Sequence, residues 1–251
     1  MMRTLVTLLL CAAGLSGTAH AQSGESPCRD VSYKSVSYTV CTADMTQDRL
    51  ELYLYTEAGK PYGQFASLDR MLLAKGKKLA FAMNAGMYHE NRAPVGHYIE
   101  NGTELQRVIP NAGPGNFGLL PNGVFCVRQG RADVIETLRY LDDQPTCTHA
   151  TQSGPMLVID GKLHPRFLPD SDSRYIRNGV GTSRDGKTAT FVISNAPVNF
   201  HAFASFFRDY LKLPQALYFD GNISRLYAPN LNRSDFGFTS LGPIIGVVTD
   251  K

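Results

Sequence analysis

The clearest pattern of hydrophobic and polar positions lies in residues 188–224. Residues 188–193 are rich in β-branched and aromatic side chains, which predicts a buried strand. Apolar positions recur at helical spacing over 203–211, after a predicted N-cap at Asn199. Residues 216–219 are again typical of a strand. Polar and small residues follow that strand directly: Asp220, Gly221, Asn222 and Ser224.

A helix between two strands predicts a parallel βαβ unit, and ligands bind beyond the carboxyl ends of parallel strands. The same order of strand, helix, strand and polar turn occurs earlier, where residues 79–83 run into Asn84-Ala85-Gly86. We therefore expect Asn84 and Asp220 each to follow the carboxyl end of a strand.

Other alternating runs predict a half-buried strand at 31–40 and another at 49–55. Turn pairs at Asn101-Gly102, Gln129-Gly130 and Asp160-Gly161 predict β-hairpins. The predicted fold class is α+β: a single domain with a mixed β-sheet, βαβ crossovers and several β-hairpins.

Residues 177–182 are joined to the strand at 188–193 by a tight turn that contains Asp185-Gly186, which predicts another hairpin. If the pairing is symmetric about that turn, Arg177 lies opposite Ser194 and Asn195. A guanidinium and the N-terminus of the predicted helix would then meet Asp220, an arrangement that suits an anionic ligand.

The N-terminus is typical of a cleavable secretory signal, with Arg3, an apolar run over 5–15 and Ala19-His20-Ala21 before Gln22. The predicted domains are the signal at 1–21 and one folded domain at 22–251. We expect a periplasmic or secreted protein without a membrane span after signal removal, because the apolar run is too short to cross a bilayer. The formal net charge of +3 gives no sign of a nucleic-acid-binding face.

Four cysteines remain after the signal, and an even number in an exported protein suggests disulfides. Of the three possible pairings, we favour Cys28–Cys41 with Cys126–Cys147, because each closes a short loop. A zinc site is the alternative, although the chain has no C-x-x-C motif or closely spaced Cys and His.

Several motifs resemble the phosphodiester glycosidase family, whose members include the lysosomal enzyme that removes N-acetylglucosamine from a mannose 6-phosphate diester. The resemblance spans most of the mature chain and rests on five segments: FAMNAGMY at 81–88, SGPMLVIDG at 153–161, RNGVG at 177–181, FVISNAPVNF at 191–200 and YFDGNISRLY at 218–227. Ala85 and Asn222 depart from the glycines of the family pattern, so the sugar pocket is expected to differ.

The resemblance implies hydrolysis of a sugar-1-phosphodiester. A phosphodiester is a good leaving group, so holding its charge matters more than protonating it. Arg177 and the start of the helix at Asn199 are therefore expected to bind phosphate, while Asp220 activates water or stabilises the cationic sugar carbon. Glu90 or His97 is expected to supply a second acid or base. The other predicted substrate-binding residues are Asn84, Gly86, Asn178, Asn195, Gly221, Asn222 and Ser224.

Two alternatives stay open from the sequence. One is a glycan-binding or cell-envelope interaction domain without catalysis, although the chain has no Trp for sugar stacking. The other is a metal-dependent phosphodiesterase, which the absence of closely spaced His and Asp ligands disfavours. These residues identify no certain cofactor, and a calcium ion near Asp220, with a structural or substrate-positioning role, stays open as a further prediction.

Overall fold

The computed structural model describes residues 26–251; the predicted signal at 1–21 lies outside them. In chain order the strands are β1 (Cys28–Tyr33), β2 (Val36–Asp44), β3 (Arg49–Tyr53), β4 (Lys77–Asn84), β5 (Tyr98–Glu100), β6 (Thr103–Gln106), β7 (Gly123–Arg128), β8 (Arg131–Glu136), β9 (His149–Ser153), β10 (Met156–Ile159), β11 (Lys162–Leu163), β12 (Asn178–Thr182), β13 (Thr188–Ser194), β14 (Gln215–Asp220), β15 (Leu226–Ala228), β16 (Arg233–Ser234) and β17 (Ile244–Asp250). The α-helices are α1 (Phe65–Ala74), α2 (Thr137–Asp143) and α3 (Phe200–Ser205). A π-helical segment, Phe206–Tyr210, continues α3, and a short 3-10 helix spans Pro229–Leu231.

The strands form three sheets, and the fold is mostly β with few helices. The seven-stranded sheet has the order β1-β2-β13-β12-β14-β10-β11. One five-stranded sheet has the order β16-β15-β4-β17-β3, and the other has β6-β5-β9-β7-β8. This composition agrees with the α+β prediction.

The predicted mixed sheet and parallel βαβ pairing are wrong, because every strand pairing in the described part of the chain is antiparallel. Strands β13 and β14 do run in the same direction on either side of α3, but β12 lies between them and pairs with both. Likewise β17 lies between β3 and β4. Both units are thus split βαβ motifs, each with a strand from elsewhere in the chain in the middle.

The single strand predicted at 31–40 is also wrong: β1 and β2 form a hairpin within it. The chain turns at Lys34 and Ser35, whose φ angles are 46° and 61°. A tight hairpin turn needs positive φ at two successive residues. Gly and Asn predict such a turn from the sequence, whereas Lys and Ser do not.

The other predicted hairpins and both predicted disulfides are confirmed. The hairpins β5–β6, β7–β8, β10–β11 and β12–β13 turn at the predicted pairs. Cys28 faces Cys41 directly across the β1–β2 hairpin and is bonded to it. Cys126 is bonded to Cys147.

The largest core cluster lies where the three sheets meet. Phe81 of β4 packs on Phe191 of β13, with ring centroids 5.5 Å apart, and Phe125 of β7 contacts the same ring at 5.8 Å. Each of these three side chains comes from a different sheet and is fully buried. The helices pack outside this centre, and none in residues 26–251 is long and apolar enough to cross a membrane.

This packing gathers the polar ends of three strands. Asn84 ends β4, Asp220 ends β14, and Asn178 begins the antiparallel strand β12, where it pairs with Asp220. The prediction that Asn84 and Asp220 lie at the carboxyl ends of strands is confirmed, although the strands belong to different sheets.

Candidate active site

A cavity of about 630 Å³ opens at the end of β14. Four stretches of chain meet around it: the residues after β4, the loop before β7, the segment before β12, and the end of β14 with the turn that follows it. Its walls include Met87, Tyr88, His89, Asn116, Phe117, Ser173, Tyr175, Tyr218, Asp220, Gly221, Asn222 and Ile223. We call it the Asp220 cavity.

Two fully buried asparagines hold the turn that forms one wall. Asn84 donates through Nδ2 to the carbonyl oxygen of Ile223 at 2.6 Å, and its Oδ1 accepts the N–H of Arg225 at 2.8 Å. Asn178 donates to the carbonyl oxygen of Asn84 at 2.8 Å and accepts the N–H of Asp220 at 3.1 Å. Because their amides are used within the protein, these side chains position the turn on which Asp220 lies.

Asp220 presents its carboxylate to the cavity. Its Oδ1 accepts the backbone N–H groups of Gly221 at 2.6 Å and Asn222 at 2.9 Å, and neither of these bonds uses Oδ2. Burial raises the pKa of this carboxyl above its ordinary value, and neighbouring backbone N–H groups offset part of the shift. One oxygen is therefore fixed and the other is available to a ligand or water.

Arg177 lies behind the same wall as a buried cation, with 1% of its surface exposed. It donates through Nε to Val198 O at 2.9 Å, through Nη1 to the hydroxyl of Tyr218 at 3.2 Å and through Nη2 to Ser173 O at 3.0 Å. Burial lowers the pKa of the guanidinium, but an arginine stays protonated at neutral pH. No carboxylate in residues 26–251 pairs with it.

Aromatic rings surround the guanidinium instead of an acid. Its central carbon lies 3.7 Å from the ring centroid of Phe200 and 5.4 Å from those of Tyr175 and Tyr218. Such cation–π contacts partly replace lost hydration but leave the net positive charge in place. The predicted hairpin register is confirmed: the carbonyl oxygen of Arg177 accepts the N–H of Ser194 at 2.9 Å, and the N–H of Arg177 donates to the Ser194 hydroxyl at 3.0 Å.

Two glycines of the candidate site are fixed by close contacts. A Cβ at Gly221 would lie 1.9 Å from the Tyr218 hydroxyl, so only glycine lets the turn approach this ring. Gly86 has φ +92°, and a Cβ there would lie 2.5 Å from Thr151 Oγ1. Both glycines thus allow the backbone to approach its neighbours closely and contribute no side chain to the site.

The remaining predicted residues divide into two groups. Asn222 is exposed on the cavity wall, and Ser224 beside it donates to the carbonyl oxygen of Asp220 at 2.8 Å. Glu90 is exposed and does not line the cavity, although His89 does. His97 is buried, with ring nitrogens 2.9 Å from Gln106 O and 3.0 Å from the Tyr140 hydroxyl.

Asn195 and the start of α3 also lie off the cavity wall. The Asn195 side chain contacts Ser37, Thr39 and Arg233. The predicted N-cap is confirmed, because Asn199 Oδ1 accepts the N–H of Ala202 at 2.9 Å.

The predicted site residues did not include several polar and aromatic groups that line the cavity, among them Tyr88, His89, Tyr175 and Tyr218. A signal for Tyr218 was present, because side chains two apart on a strand share a face, and Tyr218 precedes Asp220 by two residues. Burial, and to a smaller extent the Asp220 carboxylate, raises the pKa of the Tyr88 hydroxyl above its ordinary value.

The family model described as phosphodiester glycosidase matches residues 77–248, which include β4, β12, β14 and every residue of the cavity. The chain belongs to the phosphodiester glycosidase family. YigE of Escherichia coli (strain K12), an uncharacterized protein, is 36% identical over 186 residues that cover 74% of this chain and 72% of YigE.

Solved structures share the fold of this phosphodiester glycosidase family member. The catalytic domain of zebrafish N-acetylglucosamine-1-phosphodiester alpha-N-acetylglucosaminidase, auto-inhibited by its pro-peptide, aligns with a TM-score of 0.59 and 15% identity. That alignment covers 88% of this chain and 81% of the zebrafish domain. A hypothetical protein from Synechocystis aligns with a TM-score of 0.61 and 14% identity, over 88% of this chain and 61% of its own.

The described residues offer few side-chain ligands for a metal. Within residues 26–251 no group of three or more His, Cys, Asp or Glu side chains is placed to hold an ion. A calcium ion near Asp220 stays a prediction; the Asp220 carboxylate and backbone carbonyl oxygens of the turn are the ligand types it would use.

Proposed function

We propose that this protein is an exported glycoside hydrolase that cleaves the sugar C1–O bond of a sugar-1-phosphodiester, releasing a free sugar and a phosphomonoester. Membership of the family supports a glycosidase-type activity. The observation that carries the finer assignment is the pairing of one available carboxylate oxygen, on Asp220, with an uncompensated buried cation, Arg177, at one cavity wall. The two disulfides fit an oxidising compartment.

Arg177 supplies the charge that favours a phosphodiester over a neutral glycoside. Its guanidinium is not in the cavity lining, so it acts through Tyr218, whose hydroxyl accepts from Nη1 and which does line the cavity. A buried positive charge acts over several ångströms because its surroundings have a low dielectric constant, and no carboxylate of the described residues pairs with Arg177. Arg177 thus attracts the diester anion and stabilises the phosphate that leaves.

Asp220 performs the chemistry at the sugar carbon. In the proposed step a water oxygen bonds to C1 while the C1–O bond breaks, and the leaving phosphomonoester keeps the electron pair. Asp220 Oδ2 accepts the proton of that water, and its negative charge stabilises the oxocarbenium-like carbon. The raised pKa of Asp220 makes it a stronger base than an exposed aspartate.

The remaining roles follow from position. Tyr88, Tyr175 and Asn222 line the cavity and offer hydroxyl, aromatic and amide surfaces to the sugar. His89 joins the predicted Glu90 and His97 as a candidate second acid or base, and it alone of these three lines the cavity. Asn84, Asn178, Gly86 and Gly221 place the wall, while Asn195 stays a predicted sugar ligand.

The test is a product assay on glycosyl-1-phosphodiesters in water labelled with heavy oxygen. The proposal expects a reducing sugar that carries the label and an unlabelled phosphomonoester. Label in the phosphate together with sugar-1-phosphate would instead show cleavage at phosphorus. Binding without turnover would select a glycan-binding domain, and loss of activity on adding a chelator would support the calcium prediction.

A further inference from the structure

A second cavity, of about 550 Å³, lies on the other side of the turn that carries Asn222. The two cavities share Gly221, Asn222 and Ile223, so the turn is a common wall between them. The second cavity is also lined by Ile176, Arg225, Arg233, Asp235, Phe236 and Thr239. We call it the Arg225 cavity. A molecule that reaches across Asn222 would occupy both.

Arg225 gives this cavity an uncompensated positive charge. Arg225 is buried, with 8% of the residue exposed, and its Nη1 donates to Thr239 O at 2.9 Å. No carboxylate in the described chain pairs with it. Arg233, by contrast, is neutralised by Asp235 at 2.9 Å. A buried guanidinium with free N–H groups and no acid is a binding group for a phosphate oxygen.

Two phenylalanines extend from the rim of the Arg225 cavity into water. Phe236 is 73% exposed and Phe238 is 99% exposed, and their ring centroids lie 5.7 Å apart in an edge-to-face arrangement. The loop that carries them is tied down, since Gln64 donates to Gly237 O at 3.0 Å and Arg225 donates to Thr239 O. Neighbouring large apolar side chains at such exposure mark a surface that is covered when the protein works.

Gly237 lets this loop lie directly on the arginine. A Cβ at that position would stand 2.1 Å from Arg225 Nη2. The loop that carries the phenyl rings therefore lies against the guanidinium. Ile176, 42% exposed, adds an apolar group among the lining residues of the same cavity. Adjacent anion-binding and apolar groups match a molecule that joins a phosphate to a hydrocarbon.

We propose that the Arg225 cavity is the subsite for the alcohol side of the substrate and that this alcohol is a lipid-like hydrocarbon. This inference rests on the proposed function: the sugar lies in the Asp220 cavity, and the diester phosphate lies at the shared turn, between Tyr218, through which Arg177 acts, and Arg225. The hydrocarbon then covers Phe236 and Phe238. The substrate class is a glycosyl phosphodiester of an apolar alcohol.

The experiment measures binding of two simple alkyl phosphates, octyl phosphate and ethyl phosphate, by calorimetry. Both carry the phosphomonoester expected as product, so binding can be measured whether or not the protein hydrolyses any diester. We expect the parent protein to bind octyl phosphate at least about tenfold tighter, since each buried methylene contributes about 0.8 kcal/mol. The double variant Phe236→Ser/Phe238→Ser should reduce that preference to within about threefold, because the apolar cover is gone.

The matched control is Leu138→Ser, which changes an exposed leucine on α2 outside both cavities. It should keep the full preference for octyl phosphate. Arg225→Lys should weaken the binding of both alkyl phosphates by a similar factor. It changes the group that binds the phosphate, which both ligands share, and leaves the apolar rim unchanged. The melting temperature of each variant verifies that it is folded.

The outcomes separate this inference from the proposed function. Equal binding of the two phosphates by the parent, or an unchanged preference in the double phenylalanine variant, overturns the lipid-alcohol subsite even if sugar diesters are hydrolysed. A clear octyl preference without any hydrolysis keeps the subsite and rejects the hydrolase. Phenylalanine-dependent sedimentation with phosphatidylglycerol vesicles, without selectivity for octyl phosphate, would assign the rim to membrane docking and overturn the proposal.

Discussion

Gly221 lies so close to Tyr218 that a single added methyl group would meet the tyrosine hydroxyl at 1.9 Å. The same hydroxyl accepts the Nη1 hydrogen bond of Arg177, so the turn, the ring and the buried cation form one packed unit. The position of Asp220 depends on this unit, because Asp220 lies in the chain between Tyr218 and Gly221.

This contact predicts a specific rescue. Gly221→Ala should lower stability and activity because the turn must move away from the hydroxyl. In Gly221→Ala/Tyr218→Phe the nearest remaining ring atom, Cζ, is 3.1 Å from the new Cβ, a tight but tolerable distance. The double variant should therefore lose about 1–2 kcal/mol less free energy of unfolding than the two single variants lose in sum. Denaturant unfolding of all four proteins measures this coupling, and simple additivity would refute the clash.

A second prediction concerns the shape of the Arg177 head group. Arg177→Lys keeps a cation but cannot donate to Val198 O, Tyr218 and Ser173 O together. We expect substrate KM to rise about tenfold, equivalent to about 1.4 kcal/mol, and Arg177→Ala to be worse. Unpaired acceptors should also cost about 1–3 kcal/mol of folding free energy.

The control for that prediction is Arg174→Lys, on the exposed loop near Arg177. It should leave KM and the melting temperature at parental values. An Arg177→Lys protein that matches the parent in both would show that the planar, multi-donor guanidinium is not required.

Buried histidines predict acid sensitivity of the fold. Burial lowers the pKa of His149 below 6.5, and its Nδ1 lies 3.4 Å from the backbone nitrogens of Leu52 and Asn101, whose N–H groups it accepts. The unfolded chain therefore binds a proton more readily than the folded one, and stability falls as pH drops below about 6.5. His97 and His164 act in the same direction.

We expect the free energy of unfolding, measured in denaturant, to fall between pH 7.5 and pH 5. His149→Gln should be less stable than the parent at pH 7.5. Its free energy of unfolding should then decrease less steeply with falling pH, and the two slopes should differ by up to about 1.4 kcal/mol per pH unit. Identical slopes for the parent and the variant would remove His149 from this account.

Local patterns in the sequence were sufficient for much of this molecule. Tight turns with Gly located the hairpins, the N-cap at Asn199 located α3, and loop length identified both disulfides. These features depend on residues close in sequence. The parallel pairing failed because strand insertion depends on long-range packing: β12 and β17 separate strands that the chain order makes adjacent.

The candidate site shows the same division. Asp220 and Arg177 were found because each ends or begins a patterned segment. The burial of Arg177 among Phe200 and tyrosine rings depends on how a helix and a loop pack on the sheet, which spacing does not reveal. Asn84 and Asn178, which were predicted to bind the sugar, form hydrogen bonds with backbone groups. The sequence does not distinguish these two roles, because an amide side chain can bind a sugar hydroxyl or a backbone group equally well.

The most direct test of the account compares Asp220→Asn with the parent in turnover, substrate binding and melting temperature. Asn can keep the Oδ1 hydrogen bonds to Gly221 and Asn222 but removes the negative charge. Because burial raises the pKa of Asp220, its ionised form costs folding stability above the unfolded pKa, so the variant should melt at the same or a slightly higher temperature at pH 7.

The account predicts that this folded variant still binds substrate but loses turnover by about a hundredfold or more. Lost turnover with a sharply lowered melting temperature would assign Asp220 to the turn alone. Turnover within a few-fold of the parent, with binding and folding intact, would contradict a catalytic Asp220 and direct the next substitutions to His89 and Glu90.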